Sequence, residues 1–562
     1  MFKCKQLLRR ICVVSYVFLL CGGLVNASNL VSKTNTLIGT QGNGWASGYL
    51  YPGATYPFGM VQFTPTYFTK QLGFVINQLS GAGCDHMGNF PTLPIAGALR
   101  VSPDSILNMQ TPVGKEIGTA GYYAATVDHS IRAELTVTER TGMARYTFSS
   151  KEKQGTVIIG GGVAATPIQV AAIKITGPHS CEGYAEGGAF CGIPTPYKVY
   201  FVAEFDADAE SFGTWKEERL HANHTFAEGS HSGVYFTFPL KEGNQAVQYK
   251  IGVSYVSVEN ARENLRVENP AWDFSAVRQA TQDKWNEYLG KIEVEGDNED
   301  RQMQFYTHLY RSLIHPNVCS DVNGEYMGAD SQVHKTARKF YTSFSNWDTY
   351  RTQTALIAML APEETSDIVM SHYLFAEQSG GGFPRWVLAN IETGVMQGDP
   401  TPILVANAYA FGARTYDPRT LLRTMRYGAE VPGANSQGVL TRPGLEQYLE
   451  KGYYDASILL EYTSSDFAIG RFALQACNDE PVCNWYTQRA MNWKNLFNKE
   501  TGWLQSRNED GSWKRYDADW RESTYKNYFW MVPYDLQGLI DSIGGKEAAE
   551  KRLDEMFRRL DA

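Results

Sequence analysis

YKIGVSYVSVENARENLRVENPAWDFSAVRQATQDKWNEYLGK, residues 249–291, contains the change of pattern that decides the fold. At its start Tyr249, Ile251, Val253 and Tyr255 alternate with polar or small residues, as a half-buried strand should. Past Pro270 the period changes. From Phe274 to Lys291, Val277, Ala280, Trp285, Tyr288 and Leu289 fall on one side of a helix.

Upstream, Thr156-Val157-Ile158-Ile159 and Val199-Tyr200-Phe201-Val202 read as short buried strands between Gly, Pro and Ser turns. Many such strands imply an antiparallel sandwich. Downstream, helical stripes dominate: Met303, Tyr306, Leu309, Tyr310 and Leu313, and later Ala490, Trp493, Leu496 and Phe497. Gly-, Trp- and Asp-rich loops separate them, among them SFSNWDTYR, SGGGFPRW and TGVMQGDP. Helix pairs with loops of this kind at one end suggest an (α/α) toroid. The expected division is a signal peptide at 1–27, a β-sandwich at 28–270, a helical linker at 271–297 and the toroid at 298–562.

The leader reading rests on Lys3, Lys5, Arg9 and Arg10 before an apolar run from Ile11 to about Leu24, closed by Val25-Asn26-Ala27. An exported protein is expected, secreted or periplasmic, and no later segment is apolar enough to span a bilayer. Net charge is -9 without a basic stripe, which argues against nucleic acid as a partner. Six cysteines follow the leader. Cys181/Cys191 and Cys477/Cys483 each bracket a short loop and are expected to close local disulfides. No CxxC or HxxxH accompanies them, which disfavours zinc. A GxSxG elbow, a Walker loop and HExxH are also absent from the sequence.

Sugar chemistry asks for carboxylates and aromatics. Aromatic residues make up 13% of the chain, with 33 Tyr and 12 Trp. In ESTYKNYFWMVPYD, residues 522–535, a single leading carboxylate stands among Tyr525, Tyr528, Phe529 and Trp530. Aromatic faces pack on sugar rings, and by excluding water they hold a carboxylic acid protonated. A glycosidase needs such an acid to protonate the leaving oxygen. The plain alternative is an aromatic-rich core helix with Glu522 on its solvated edge.

With these motifs the chain resembles glycoside hydrolase family 92, the exo-acting, calcium-dependent α-mannosidases. NTLIGTQGNGWASGYLYPGATYPFGMVQFTP resembles the family's opening segment, and LSGAGCDHMGNFPTLP its SGxGCxDxGD segment. FYTHLYRSLIHPNVCSDVNGEYMG, FSNWDTYRT, FPRW and RAMNWKNLFNKETGW follow in the family's order. The resemblance implies that Glu522 is the general acid and that Trp347 and Asp348 grip the terminal mannose. For Asp348 the alternative is a helix N-cap. Arg385 and Trp386 are implied to line the pocket, and Cys84 to lie in a loop near the leaving-group sugar. A Trp at that place accompanies α-1,2 specificity, so Cys84 points away from it. A bound Ca2+ on the mannose O2 and O3 hydroxyls is implied too, with its ligands unassigned.

Two departures stand out. Thr524, Lys526 and Asn527 replace the family's Asn, Trp and Gln, and Lys526 at the leaving-group side would favour a charged aglycone. The family's general-base Asp lies in a GNDDxGxxSAW segment that this sequence lacks, so an incomplete toroid is expected. The functional expectation is a mannosidase acting on mannose-containing glycans with inversion. The alternatives are a silent glycan-binding chain lacking its base and, more remotely, a polysaccharide lyase.

Overall fold

In the computed structural model the described residues are 29–40, 48–66, 73–104, 113–242 and 245–558. The expected signal peptide at 1–27 lies outside them. Two antiparallel sheets form the first part of the chain, with every strand pair antiparallel. One sheet places Thr92–Ala96, Gln154–Gly160, Ser232–Pro239 and Ser211–Lys216 side by side. The other runs through Ser180–Phe190, Ile193–Phe205, Ala246–Ser254 and Thr141–Thr147. Their facing sides interleave aromatic and β-branched residues: Phe90 lies 4.3 Å from Phe201, and Phe205 packs against Phe236, Phe238 and Tyr249. This is the packed core of a sandwich.

The strand Ala246–Ser254 departs from the half-buried expectation. Tyr249, Ile251 and Val253 face the core, but Lys250, Gly252 and Ser254 are buried as well. The helix Val258–Glu268, capped by Ser257 Oγ on the Asn260 N–H at 3.1 Å, covers their side of the sheet. Gly252 is required there. A Cβ would stand 2.3 Å from the Ala261 carbonyl and 2.8 Å from Leu265 Cβ. Lys250 escapes its burial by donating to the Asn269 carbonyl (3.0 Å) and lying over the Trp272 ring.

Phe274–Leu289 is a helix as its period predicts, capped by Asp273 on the Ala276 N–H. Trp285, fully buried, donates from Nε1 to the Thr55 carbonyl at 2.7 Å and so fastens the helix to the sandwich. Beyond it Glu299–Ser312, Gln353–Leu360, Pro362–Ser379, Thr401–Ala410, Pro418–Glu430, Ala456–Cys477 and Glu480–Ala490 make the helical part. Ala456–Cys477 is buried on nearly all sides, with helices packed around it.

Two local expectations are corrected. The stripe Ala490, Trp493, Leu496 is buried, but Met491–Leu496 is a 3-10 helix and Phe497 begins a short strand. A three-residue spacing matches the 3-10 repeat, which stacks i and i+3. In residues 522–535 only Tyr525–Tyr528 makes a helical turn, with a 3-10 turn at Pro533–Asp535.

Neither expected disulfide forms. Cys181 and Cys191 lie near opposite ends of the extended strand Ser180–Phe190, which rises about 3.3 Å per residue, far beyond the reach of a disulfide. Cys181 faces the sandwich core and is fully buried, and its burial pushes the thiol pKa up. Cys477 ends one helix, while Cys483 is buried a turn inside the next, with Sγ 3.9 Å from Thr487 Oγ1. Both are free thiols. Cys191 instead bonds Cys84 across 107 residues, with the two Cα atoms 5.2 Å apart.

Candidate active site

A cavity of about 570 Å3 opens where the two parts of the chain meet. The sandwich contributes Leu79 to Cys84, Phe190 and Cys191; the helical part contributes Ser343 to Asn346, Asp348, Trp386 and Glu522. Volume and mixed lining are those of a small-ligand site.

The sandwich-side rim is the loop LSGAGCDH, residues 79–86, fixed at several points. His86 Nε2 accepts the Leu79 N–H at 2.8 Å, which leaves the proton on Nδ1 to be donated to the Cys84 carbonyl at 2.7 Å. His315 Nε2 accepts the Ser80 N–H at 2.9 Å, and its Nδ1 donates to Asn317 Oδ1 at 2.6 Å. The Cys84–Cys191 bridge holds the far end. Burial disfavours the imidazolium of both histidines and brings each pKa down to about 4, against the raising effect of these hydrogen bonds. Both rings are neutral at ordinary pH.

Opposite stands the turn Asn346–Thr349. Ser345 pairs with Trp386 in a short antiparallel sheet, which brings the turn beside the Trp386 indole. Trp386 is buried and stacks on Phe190, with centroids 4.3 Å apart. Asp348 presents an exposed edge at the cavity and accepts a hydrogen bond from Ser345 Oγ. Surrounding protein still raises its carboxyl pKa by desolvation, opposed by Ser345, Arg351 and Trp386. Asp348 lies inside its helical turn and Ser345 precedes it, so Asp348 is not an N-cap.

Glu522 also lines the cavity. Its aromatic neighbours do not enclose it as expected, because the segment turns before it can pack as a helix. Glu522 is exposed, with left-handed backbone at φ 50°. A non-glycine residue held there is uncommon and directs a side chain that regular structure would point elsewhere.

Trp347 and Arg385 are not in the lining. Trp347 Nε1 donates to Glu461 at 3.0 Å, and the same carboxylate accepts from Tyr350 OH (2.8 Å) and Arg351 (3.2 Å). Glu461 is fully buried, which raises its pKa against the lowering effect of these partners. The indole thus anchors the Asp348 turn from behind. Arg385 is nearly buried and donates to the carbonyls of Gly398 (3.0 Å) and Leu440 (3.1 Å), knitting two loops together. The histidine clamps and Glu461 are absent from the sequence reading. Their partners lie far along the chain, and the only local hint was His315 within the RSLIHPNV stretch.

Among the described residues, no three His, Cys, Asp or Glu side chains converge as metal ligands. Calcium takes six to eight oxygens. Among the described residues the cavity lining offers two carboxylates, Asp348 and Glu522, the first already bonded to Ser345. No helix among the described residues is long and apolar enough to cross a membrane.

Comparison with known proteins agrees with this architecture. Residues 34–254 match the N-terminal domain of glycosyl hydrolase family 92, and residues 260–562 match its catalytic domain. A family GH92 α-mannosidase from Bacteroides thetaiotaomicron superposes with a TM-score of 0.85 at 25% identity, covering 94% of this chain and 75% of that one. A family GH92 inverting mannosidase from the same organism gives 0.85 at 26%, covering 94% and 74%. An uncharacterized secreted glycosidase of Arthroderma benhamiae is 25% identical over 94% of this chain and 74% of its own length. The chain belongs to glycosyl hydrolase family 92 and is a glycoside hydrolase.

Proposed function

We propose that the chain is an exported exo-α-mannosidase that removes terminal α-mannosyl residues from glycans with inversion. The observation that carries the reading is the pairing of Glu522 and Asp348 on the lining of one cavity, in a chain whose solved relatives include an inverting mannosidase.

In this reading Glu522 is the general acid and protonates the glycosidic oxygen as the bond to the anomeric carbon breaks. Its exposed position suits a group that must recover a proton from solvent after each turnover. Asp348 accepts hydroxyls of the terminal sugar through its free edge, and Trp386 supplies an apolar wall. Trp347 acts through the Asp348 turn. Inversion requires a base and a water on the opposite face, with the carboxyl pair about 6.5–9.5 Å apart. Asp348 and Glu522 are the only carboxylates in the described lining, so no residue is assigned as the base. That same observation keeps open a second reading, in which the chain binds mannosides without turning them over. Calcium, expected from the resemblance, has no ligand set among the described residues, and no step is routed through it. The helix pairs are read as part of an (α/α) toroid.

The test is mannose release from a panel of α-mannobioses, run with calcium and with a chelator, for the wild type and Glu522→Gln. Release by the wild type alone supports the acid role. Equal release by Glu522→Gln from these poor leaving groups refutes it. Binding of mannose without release selects the second reading, and release lost on chelation would establish the metal.

A further inference from the structure

Glu522 sits on a stretch of chain that does little to hold itself in place. Asp519 and Glu522 both have left-handed backbone, with φ 64° and 50°. Among the described residues Arg521, Glu522 and Ser523 make no hydrogen bond. The segment is tied on either side of this bare stretch instead. Ahead of it, Ser457 Oγ donates to the Asp519 carbonyl at 2.6 Å, and Lys514 adds a partly exposed ion pair to the Asp519 carboxylate. Behind it, Tyr528 OH lies 3.1 Å from the Gln397 amide, whose other end lies 3.1 Å from the same Ser457 Oγ. A serine hydroxyl has a single hydrogen, and the shorter contact takes it. The Gln397 NH2 therefore donates to Ser457 Oγ, and its oxygen accepts from Tyr528 OH. Both ties of the Glu522 segment converge on one buried amide.

That amide is itself held firmly. Gln397, Ser457 and Tyr528 are 5%, 2% and 7% exposed. The residues before Gln397, Val395 and Met396, line the same cavity as Glu522. After it, the Gly398 carbonyl accepts from Arg385 Nε at 3.0 Å, and Asp399 is in a buried ion pair with Arg442 at 2.8 Å. A Cβ at Gly398 would stand 2.5 Å from Glu461 Cβ, so the loop is pressed against the helix Ala456–Cys477 that also carries Ser457. A buried amide is costly to leave unpaired, so it fixes the spacing of the groups bonded to it.

We propose that Gln397 is a positioning residue for Glu522. By holding Tyr528 directly and Asp519 through Ser457, it sets where the exposed carboxyl stands on the cavity. The proposal rests on the reading of Glu522 as general acid. A catalytic group displaced by about 1 Å loses about a hundredfold in rate. For an acid, that loss falls on leaving groups that must be protonated.

The test measures kcat and KM in calcium-containing buffer for the full chain, Gln397→Met, Tyr528→Phe and Glu522→Gln. The substrates are an α-mannobiose and 2,4-dinitrophenyl α-mannoside, whose phenolate departs without a proton. Gln397→Met keeps the length of the side chain but has no amide. It should lower kcat on the mannobiose roughly 10–100-fold with KM unchanged, and alter the dinitrophenyl substrate by less than about twofold. Tyr528→Phe should give a smaller loss of the same selectivity; it removes only a hydroxyl, and it decides the question if Gln397→Met does not fold. Equal losses on both substrates, or no loss on the mannobiose, overturn the proposal. If Glu522→Gln discriminates between the leaving groups and the other two variants do not, the acid reading stands and the positioning role falls. If Glu522→Gln does not discriminate, or the wild type leaves the mannobiose uncut, both fall.

Discussion

Acid should loosen the cavity rim before it unfolds the rest. His86 and His315 each use Nε2 to accept a backbone N–H from the rim loop, at Leu79 and Ser80. Protonating that nitrogen would turn an acceptor into a donor facing a donor. Both rings are fully buried, which depresses each pKa from 6.5 to about 4. For a base depressed in this way, the unfolded chain takes up its proton first as the pH falls. Stability is therefore intact above pH 6.5 and declines toward the folded pKa near 4. At ~1.4 kcal/mol per pH unit, each histidine costs about 2.5 kcal/mol by about pH 4.5, and the pair about 5 kcal/mol.

Buried carboxylates complicate the raw curve. Glu392, Asp399 and Glu461 have pKa values raised by burial, so the folded state gains their protons first and stability rises as the pH falls. The informative quantity is the difference between wild type and His86→Gln/His315→Gln. Glutamine offers one acceptor and one donor in place of each imidazole but does not titrate. Urea unfolding followed by tryptophan fluorescence should find the variant less stable by about 1–2 kcal/mol near neutrality. On acidification the gap should close and then reverse, moving by about 5 kcal/mol by about pH 4.5. Two curves that stay parallel within about 1 kcal/mol would refute the assignment of these nitrogens as obligate acceptors.

Three further outcomes follow from buried contacts. Glu461→Ala should cost about 3–5 kcal/mol in denaturant unfolding, since it strands Trp347 Nε1, Tyr350 OH and Arg351; Glu461→Gln, which keeps an acceptor, should cost less than half of that. Cys84→Ser/Cys191→Ser opens a loop of 107 residues and should lose about 2–4 kcal/mol, against an entropic ceiling of about 4.7, and wild type measured with and without reductant should reproduce it. Asp466 is fully buried, which alone would raise its pKa, but Arg489 and Arg442 overrule burial and lower it; its contribution is full above the ordinary 3.8 and lost as pH falls through the lowered value. Asp466→Asn should therefore cost about 3–5 kcal/mol at neutral pH, and the deficit should shrink in strong acid.

Local order in this chain was legible wherever local spacing sets it. Alternation around Tyr249 and the helical period from Phe274 needed only neighbouring residues, and both elements are present. Two failures, at Cys181/Cys191 and at Lys250, come from contact made far along the chain. Cys181 and Cys191 look like partners in a string of letters but are held apart by a continuous strand, and the true partner of Cys191 is 107 residues away. The full burial of Lys250 depends on a helix that follows the strand and folds back over it. Glu522 was marked by its aromatic neighbours in the sequence and Asp348 by the family resemblance. The exposure of Glu522 agrees with the solvated-edge alternative, whereas nothing in local spacing says that Trp347 would turn away to meet Glu461.

The division of labour between the two parts explains why neither could hold this cavity alone. Trp386 belongs to the helical part, yet it packs in the hydrophobic core of the sandwich, together with Cys319, Phe340 and Leu388. Its stacking partner Phe190 adjoins Cys191, so the bridge that shapes the rim also fixes the indole wall of the cavity. The seam is strengthened by Arg140, nearly buried, which donates to the Ser320 carbonyl at 2.7 Å and pairs with Glu139 and Glu268 at 2.6 Å. Both carboxylates lie on the sandwich side with Arg140, so opening the interface would cost the bond to the Ser320 carbonyl and leave the ion pairs in place. The stacking of Trp386 on Phe190 and the Arg140 bond to Ser320 therefore join the two parts around a cavity that is already formed. In the mannosidase reading proposed above, the 79–86 rim is what the sandwich contributes to leaving-group discrimination, while both proposed sugar-facing carboxylates come from the helical part.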